Sequence, residues 1–335
     1  MLLLVAHALA WSGRKENTAL ISTPEELMEA RPINDTSSVT PMTCGALVYL
    51  HIGKTGGTSV ESHLEEVSPA ANFSFYKVRW GDDEDSKYNY TDDERWISFK
   101  NEMSTLTKPK ATIAFHHGVP GFAAYMWSTE LLPMQQMLEA KGCELRLTTV
   151  LREGSKRSMS NLNYDVGGWS EAWTSGQIAS KLPECVSADG ESWSSLEQIA
   201  LSDDCVCQFA AGNSNDQVTY VQYGRLSVNS IWNAELGVAN GENPLAYLAN
   251  GEATTNANWA AKAIQFLEKT AYLVGCTESL DSFAAAIDAM LGVPARPMVE
   301  DNPSSWSMDF TTVMTECFDA SNVADSTLHS HFCST

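Results

Sequence analysis

The chain has 335 residues, of which 44% are hydrophobic and 19% charged; 42 Asp and Glu against 21 Lys and Arg give a formal net charge of −21. Such a composition supports a full globular core and excludes a nucleic-acid binder, which needs a basic footprint. It also weighs against a heavily sulfated polyanion as ligand, although a local basic cleft remains compatible with an acidic whole because the field at a site depends on charge distribution.

In chain order, the apolar start Met1 to Ala10 is about half the roughly 20 residues that span a bilayer. It has the form of a short signal core ending in Ala8-Leu9-Ala10, without a basic flank, or of a clipped membrane anchor. Residues 1–40 are expected to form this leader and a stem, with Pro, Asn, Asp, Thr and Ser dense between 32 and 43. A single domain is expected over 41–295, its core beginning at Cys44, with an apolar strand through Leu47–Ile52 and a helix over Thr58–Val67. The polar, aromatic stretch 68–110 has the character of an insertion. A short strand, Ala111–Phe115, runs into His116-His117-Gly118, and a helix is predicted over Met134–Ala140. A second apolar strand, Leu145–Leu151, ends in Arg152 and gives way to a helix after Gly154-Ser155. Residues 165–255, rich in Trp, Gly, Ser and Asn, form a second insertion with helices near 171–181, 194–201 and 228–236. A helix over Ala257–Thr270 feeds a late strand, Ala271–Cys276, after which Thr277 is predicted to cap a helix carrying Phe283, Ile287, Met290 and Leu291 on one face. Residues 296–335 are expected to be a weakly structured tail. Strands alternating with helices predict an α/β fold, with a P-loop-like central parallel sheet flanked by helices on both faces and carrying insertions.

Eight cysteines are widely spaced, and Cys205-x-Cys207 is too tight for a zinc knuckle, so no metal is expected. Disulfides are the expected use, Cys185 with Cys205 or Cys207 and Cys317 with Cys333, leaving Cys44 and Cys276 as buried thiols. Sequons without proline at Asn34, Asn72 and Asn89 accord with an oxidising, secretory route.

Two segments carry the chemistry. In His51-Ile52-Gly53-Lys54-Thr55-Gly56-Gly57-Thr58-Ser59 a strand ends in a lysine, a glycine pair and two hydroxyls at a helix start. Backbone N–H groups released by the glycines, a helix N-terminus, two hydroxyls and a cation converge there on a phosphate-sized volume. It is not the nucleotide loop G-x-x-x-x-G-K-[ST], whose first glycine would fall at Val48. In the second segment Arg152 ends a strand and Ser160 follows eight residues later, within two helical turns of the same sheet rim. A planar guanidinium and a hydroxyl suit a phosphate monoester.

The first segment resembles the 5′-phosphosulfate loop of the Golgi carbohydrate sulfotransferases, in particular the heparan-sulfate 2-O- and 6-O-sulfotransferases of the P-loop sulfotransferase superfamily. Arg152 and Ser160 match that superfamily's 3′-phosphate pair, and Tyr272-Leu273-Val274-Gly275-Cys276-Thr277-Glu278 is similar to its late strand. Cys205 to Gly212 is a degenerate form of a further segment.

The resemblance implies 3′-phosphoadenosine 5′-phosphosulfate (PAPS) as co-substrate, bound by Lys54, Thr55, Gly56, Gly57, Thr58, Ser59, Arg152 and Ser160, and a glycan or polysaccharide acceptor. It implies that the base is a strand-end histidine, His117 or alternatively His116, with Lys54 assisting the leaving group. It further implies a Golgi-luminal type II membrane protein or a secreted one, in contact with a membrane only through an N-terminal anchor. An ATP-dependent P-loop phosphotransferase and a non-catalytic glycan-binding relative are the alternatives.

Overall fold

The computed structural model describes residues 31–32, 39–78, 93–116, 126–167, 202–212, 215–223, 256–299 and 309–334. Among the described residues six strands form one sheet: β1 (Arg31–Pro32), β2 (Gly45–Leu50), β3 (Ser74–Val78), β4 (Lys110–Phe115), β5 (Glu144–Leu151) and β6 (Ala271–Cys276). Their order is β1-β6-β5-β2-β4-β3, and every pairing is parallel. The fold is thus α/β, a central parallel sheet with helices on both faces.

Strand β2 explains the layering. All six of its residues are buried, as the central strand of a covered parallel sheet requires. Its alternate side chains enter different cores. Leu47 and Tyr49 pack with Val60, Leu64 and Val67 of α1 (Gly57–Ala70) and with Phe283, Ile287 and Met290 of a late helix. Ala46, Val48 and Leu50 point the other way, toward α2 (Glu94–Thr105) and α3 (Leu132–Ala140), through Trp96, Phe99 and Leu138. A π-helical turn, Trp127–Leu131, leads into α3.

The remaining helices among the described residues are α4 (Gly154–Gly167), α5 (Asp203–Gly212), α6 (Asp216–Tyr223), α7 (Asn256–Thr270), α8 (Leu280–Leu291), α9 (Thr312–Ser321) and α10 (Val323–Cys333). Phe283, Ile287, Met290 and Leu291 of α8 are all buried, as their spacing predicts. The chain leaves β2 toward the β4 side and later returns to its other side at β5. That reversal makes the carboxyl ends of β2 and β5 a topological switch point, where open α/β sheets leave a crevice for ligands.

Several expectations are corrected. Residues 312–333, expected to be weakly structured, form α9 and α10, and α10 supplies Ala324, Leu328 and Phe332 to the main core. Thr277 does not cap α8; its hydroxyl donates to the Leu151 carbonyl at 2.9 Å, tying β6 to β5. Cys317 pairs with Cys207, and Cys333 with Cys276. Cys44 is bonded to Cys143, because each immediately precedes one of two register partners, Gly45 and Glu144. Cys205 is also disulfide-bonded, while Cys185 lies outside the described residues, as do the helices predicted near 171–181, 194–201 and 228–236 and the leader.

The type II membrane form is overturned among the described residues, where no helix is long and apolar enough to cross a membrane. The longest described helix, α7, has 15 residues and carries Lys262, Glu268 and Lys269. It is about 22 Å long against a hydrocarbon core of about 30 Å.

Candidate functional site

The loop after β2 is shaped by its own backbone. The His51 N–H donates to the Phe115 carbonyl at 3.1 Å, extending the β2–β4 ladder by one residue. The Thr55 hydroxyl then donates to the Ile52 carbonyl at 2.8 Å, closing the turn. Lys54 and Gly56 adopt left-handed backbone, φ 66° and 79°. For a lysine that conformation is uncommon, and such outliers concentrate where a loop is held for function. Gly56 precedes α1, which has no acidic residue in its first turn, so its amide groups and dipole present positive potential to the rim. Gly57 is required for another reason: a Cβ there would lie 1.8 Å from Cδ2 of the His51 ring.

The segment after β5 grips this loop. Arg152 Nη1 donates to the Lys54 carbonyl at 3.3 Å, and Arg157 Nε donates to the Gly53 carbonyl at 3.1 Å. The Lys54 ammonium stands 4.0 Å from the centroid of the Tyr164 ring, a cation–π contact. Arg157, Ser160 and Tyr164 are three and four residues apart on α4 and so share one face. Since both outer members touch the loop, the half-buried Ser160 lies on the face that looks toward it.

Arg152 is itself positioned. Its N–H donates to the Gln217 side-chain oxygen at 2.9 Å, and the Gln217 amide donates back to the Arg152 carbonyl at 2.7 Å. The N–H groups of Gln217 and Val218, at the start of α6, donate in turn to the two carboxylate oxygens of buried Asp325 on α10. Burial lowers the Arg152 pKa, Glu278 counters this and Arg157 adds to it. An anion docked between the two guanidiniums relieves both penalties. Glu153 caps α4 through the N–H groups of Ser155 and Lys156. Burial raises its pKa, but these hydrogen bonds and those from the Ser155 and Ser326 hydroxyls outweigh it, and the net shift is downward.

On the other side of β2 lies a buried ionic cluster. Glu61, fully buried on α1, accepts from His51 Nδ1 at 2.6 Å and from His116 Nδ1 at 3.0 Å, and pairs with Lys77 of β3 at 2.5 Å. The two imidazole rings meet edge to face, centroids 4.9 Å apart. His116 follows the end of β4, held by its N–H to the Val78 carbonyl at 2.9 Å. Burial raises the Glu61 pKa, yet the hydrogen bonds from His116 and His51 prevail and hold it well below the usual carboxylate range. Burial lowers the His51 pKa more than Glu61 raises it, which favours the neutral ring.

No metal is expected from the sequence, but His51, Glu61 and His116 bring ligand atoms within 4.8 Å of one another, a set able to coordinate one. The spacing found is that of hydrogen bonds, and Lys77 holds the second carboxylate oxygen. An ion bound to these atoms takes the place of the two ring N–H protons that Glu61 accepts and lies beside the Lys77 ammonium, which repels it.

The structure brings Lys54, Thr55, Gly56, Gly57, Thr58, Ser59, Arg152 and Ser160 to the adjoining ends of β2 and β5. His116 stands at the end of β4 on the other side of β2, whereas His117 lies outside the described residues. Glu61, Lys77, Arg157, Tyr164 and Gln217 are not singled out by sequence. Two carried a readable signal. Glu61 falls with Gly57, Leu64 and Ser68 on the buried stripe of α1, so a carboxylate occupies a core position. Arg157 lies one helical turn before Ser160 on the same face.

No family model and no curated protein matches the chain. Among solved structures it is similar to mouse sulfotransferase SULT7A1 complexed with PAP, at 12% identity over 92% of this chain and 91% of that one, with a TM-score of 0.26. A likeness that distant carries no weight for fold or function; the fold class rests on the sheet described above.

Proposed function

We propose that the protein transfers a sulfuryl group from PAPS to a hydroxyl of a glycan or polysaccharide. The observation that supports this most is the pair of guanidinium contacts from Arg152 and Arg157 to the carbonyls of Lys54 and Gly53. They join the two anion-suited segments into one rim at the switch point, with cations from both sides. In this reading Thr55 to Ser59 and the α1 N-terminus receive the 5′-phosphosulfate, and Arg152 and Ser160 receive the 3′-phosphate. The acidic whole favours a neutral or weakly acidic acceptor over a polyanion.

The chemistry is an in-line displacement. The acceptor oxygen forms a bond to sulfur as the bond from sulfur to the bridging phosphate oxygen breaks; the acceptor proton passes to a base, and the leaving phosphate takes up the electron pair. Lys54 stabilises charge on that leaving oxygen. Of the two strand-end histidines, His116 has a fixed, buried carboxylate partner, and we assign it the role of base.

Calorimetric titration with 3′-phosphoadenosine 5′-phosphate, ADP and ATP–Mg²⁺ tests the cofactor. Binding that requires the 3′-phosphate and is lost in Arg152→Ala supports the assignment. Preference for ATP–Mg²⁺ makes the protein a phosphotransferase, and binding of none makes it a non-catalytic relative. Lys54→Ala is expected to abolish transfer with the fold intact, by circular dichroism; full activity in that variant removes Lys54 from the mechanism.

A further inference from the structure

We infer that Glu61 is a positioning residue that fixes the ring orientation and tautomer of His116, so that the Nε2 atom carries the lone pair that accepts the substrate proton. The inference rests on the transfer reaction proposed above, but its structural half stands on the geometry alone.

The His116 Nδ1 atom lies 3.0 and 3.2 Å from the two oxygens of Glu61. An ionised carboxylate only accepts, so the proton of a neutral ring resides on Nδ1, and Nε2 keeps its lone pair. Glu61 in turn is held ionised and immobile. His51 Nδ1 shares Oε1 with His116, and Lys77 pairs with Oε2. The lysine balances the buried carboxylate charge, which would otherwise be too costly to keep.

His51 does more than donate. Its ring fills the space that a side chain at Gly57 would need and meets the His116 ring edge on. The base is therefore mechanically continuous with the first residue of the phosphate-loop helix. Glu61 lies one helical turn further along α1. One helix thus presents its N-terminus to the anion and its first buried turn to the base, setting the distance between donor and base by backbone geometry.

Three measurements test this. In the unsubstituted protein with ¹⁵N-labelled histidine, long-range proton–nitrogen correlation at pH 8 is expected to show His116 protonated on Nδ1, with a pyridine-like Nε2. The opposite tautomer overturns the proposal. This readout needs neither a folded variant nor catalytic turnover. In Glu61→Gln, kcat is expected to fall about 100-fold or more, the scale of general-base catalysis, while affinity for 3′-phosphoadenosine 5′-phosphate stays within about twofold and the His116 tautomer becomes mixed. A kcat within twofold of the unsubstituted enzyme overturns the proposal.

Titration with cobalt(II) provides a third arm. One equivalent bound with intense visible absorption, and lost in His51→Ala, overturns the proposal in favour of a metal centre. Failure of the unsubstituted protein to bind the nucleotide counts against the transfer reaction, while the tautomer measurement still decides the role of Glu61.

Discussion

At the residue scale, the two glycines of the loop make separable predictions. Alanine at position 56 must adopt φ near 79°, with a contact at 2.9 Å to a flexible Leu280 methyl; a loss of about 1–2 kcal/mol is expected. Alanine at 57 collides with a ring that is itself hydrogen-bonded to Glu61. Its loss should exceed that of Gly56→Ala and lie near or above the usual 1–3 kcal/mol for overpacking. Urea unfolding of the two variants checks the order. The buried His51 gives stability a pH dependence above the carboxylate range. Because its folded pKa lies below 6.5, the unfolded chain binds the proton first as pH falls, and stability drops once pH passes below 6.5. Glu61 and Glu153 act lower down, since their folded pKa values are depressed from 4.5. Their contribution is present above 4.5 and lost as pH falls further. Unfolding curves at pH 7.5, 5.5 and 4 should show both stages. His51→Asn, whose amide N–H stands in for Nδ1, should flatten the first alone.

At the scale of elements, the C-terminal pair of helices supports the rim, through α6 and through the Ser326 hydroxyl on Glu153. Asp325 on α10 satisfies two of the leading N–H groups of α6, those of Gln217 and Val218, and α6 brackets Arg152 through Gln217. Asp325→Ala should cost about 1–3 kcal/mol for each buried group it leaves unpaired and weaken nucleotide binding together with stability. Thermal melts and calorimetry on one preparation measure both. The same region shows where sequence information ends. Strands β2, β4, β5 and β6 were legible because a buried parallel strand is a run of apolar residues, and α1, α3, α7 and α8 because their apolar stripes repeat at helical spacing. The loop from Lys54 to Ser59 and the Arg152–Ser160 pair were legible because each is contiguous or helix-spaced. Helices α9 and α10 were not, since the Pro- and Ser-rich stretch before them resembles linker and their apolar faces are narrow. The cluster around Glu61 was not, because His51, Glu61, Lys77 and His116 come from four elements and meet only through the sheet order. The Cys44–Cys143 disulfide was missed for the same cause: the two cysteines are neighbours through strand register, which spacing does not reveal.

At the scale of the whole molecule, the opposite ends of the sheet have different duties. The carboxyl end carries the rim and the histidines, whereas the amino end is closed by Cys44–Cys143. The described disulfides span 99, 110 and 57 residues, loops long enough for about 4–5 kcal/mol each in the chain-entropy account. Melting in the presence of a strong reductant should therefore fall by roughly 10 °C or more, and chain made in a reducing compartment should be recovered largely unfolded; an unchanged midpoint would mean that the core alone suffices. The all-parallel register also bears on how the chain is made. Strand β2 is the centre of the finished sheet, yet the cysteine that will bond to its leading edge follows 99 residues later. At about 5–20 residues per second of synthesis, the β5-facing edge of Gly45–Leu50 waits roughly 5–20 s for its partner strand to emerge from the ribosome. During that interval six consecutive residues that are all buried in the mature fold form an open, apolar edge, able to pair with a strand of another nascent chain before their own partner arrives.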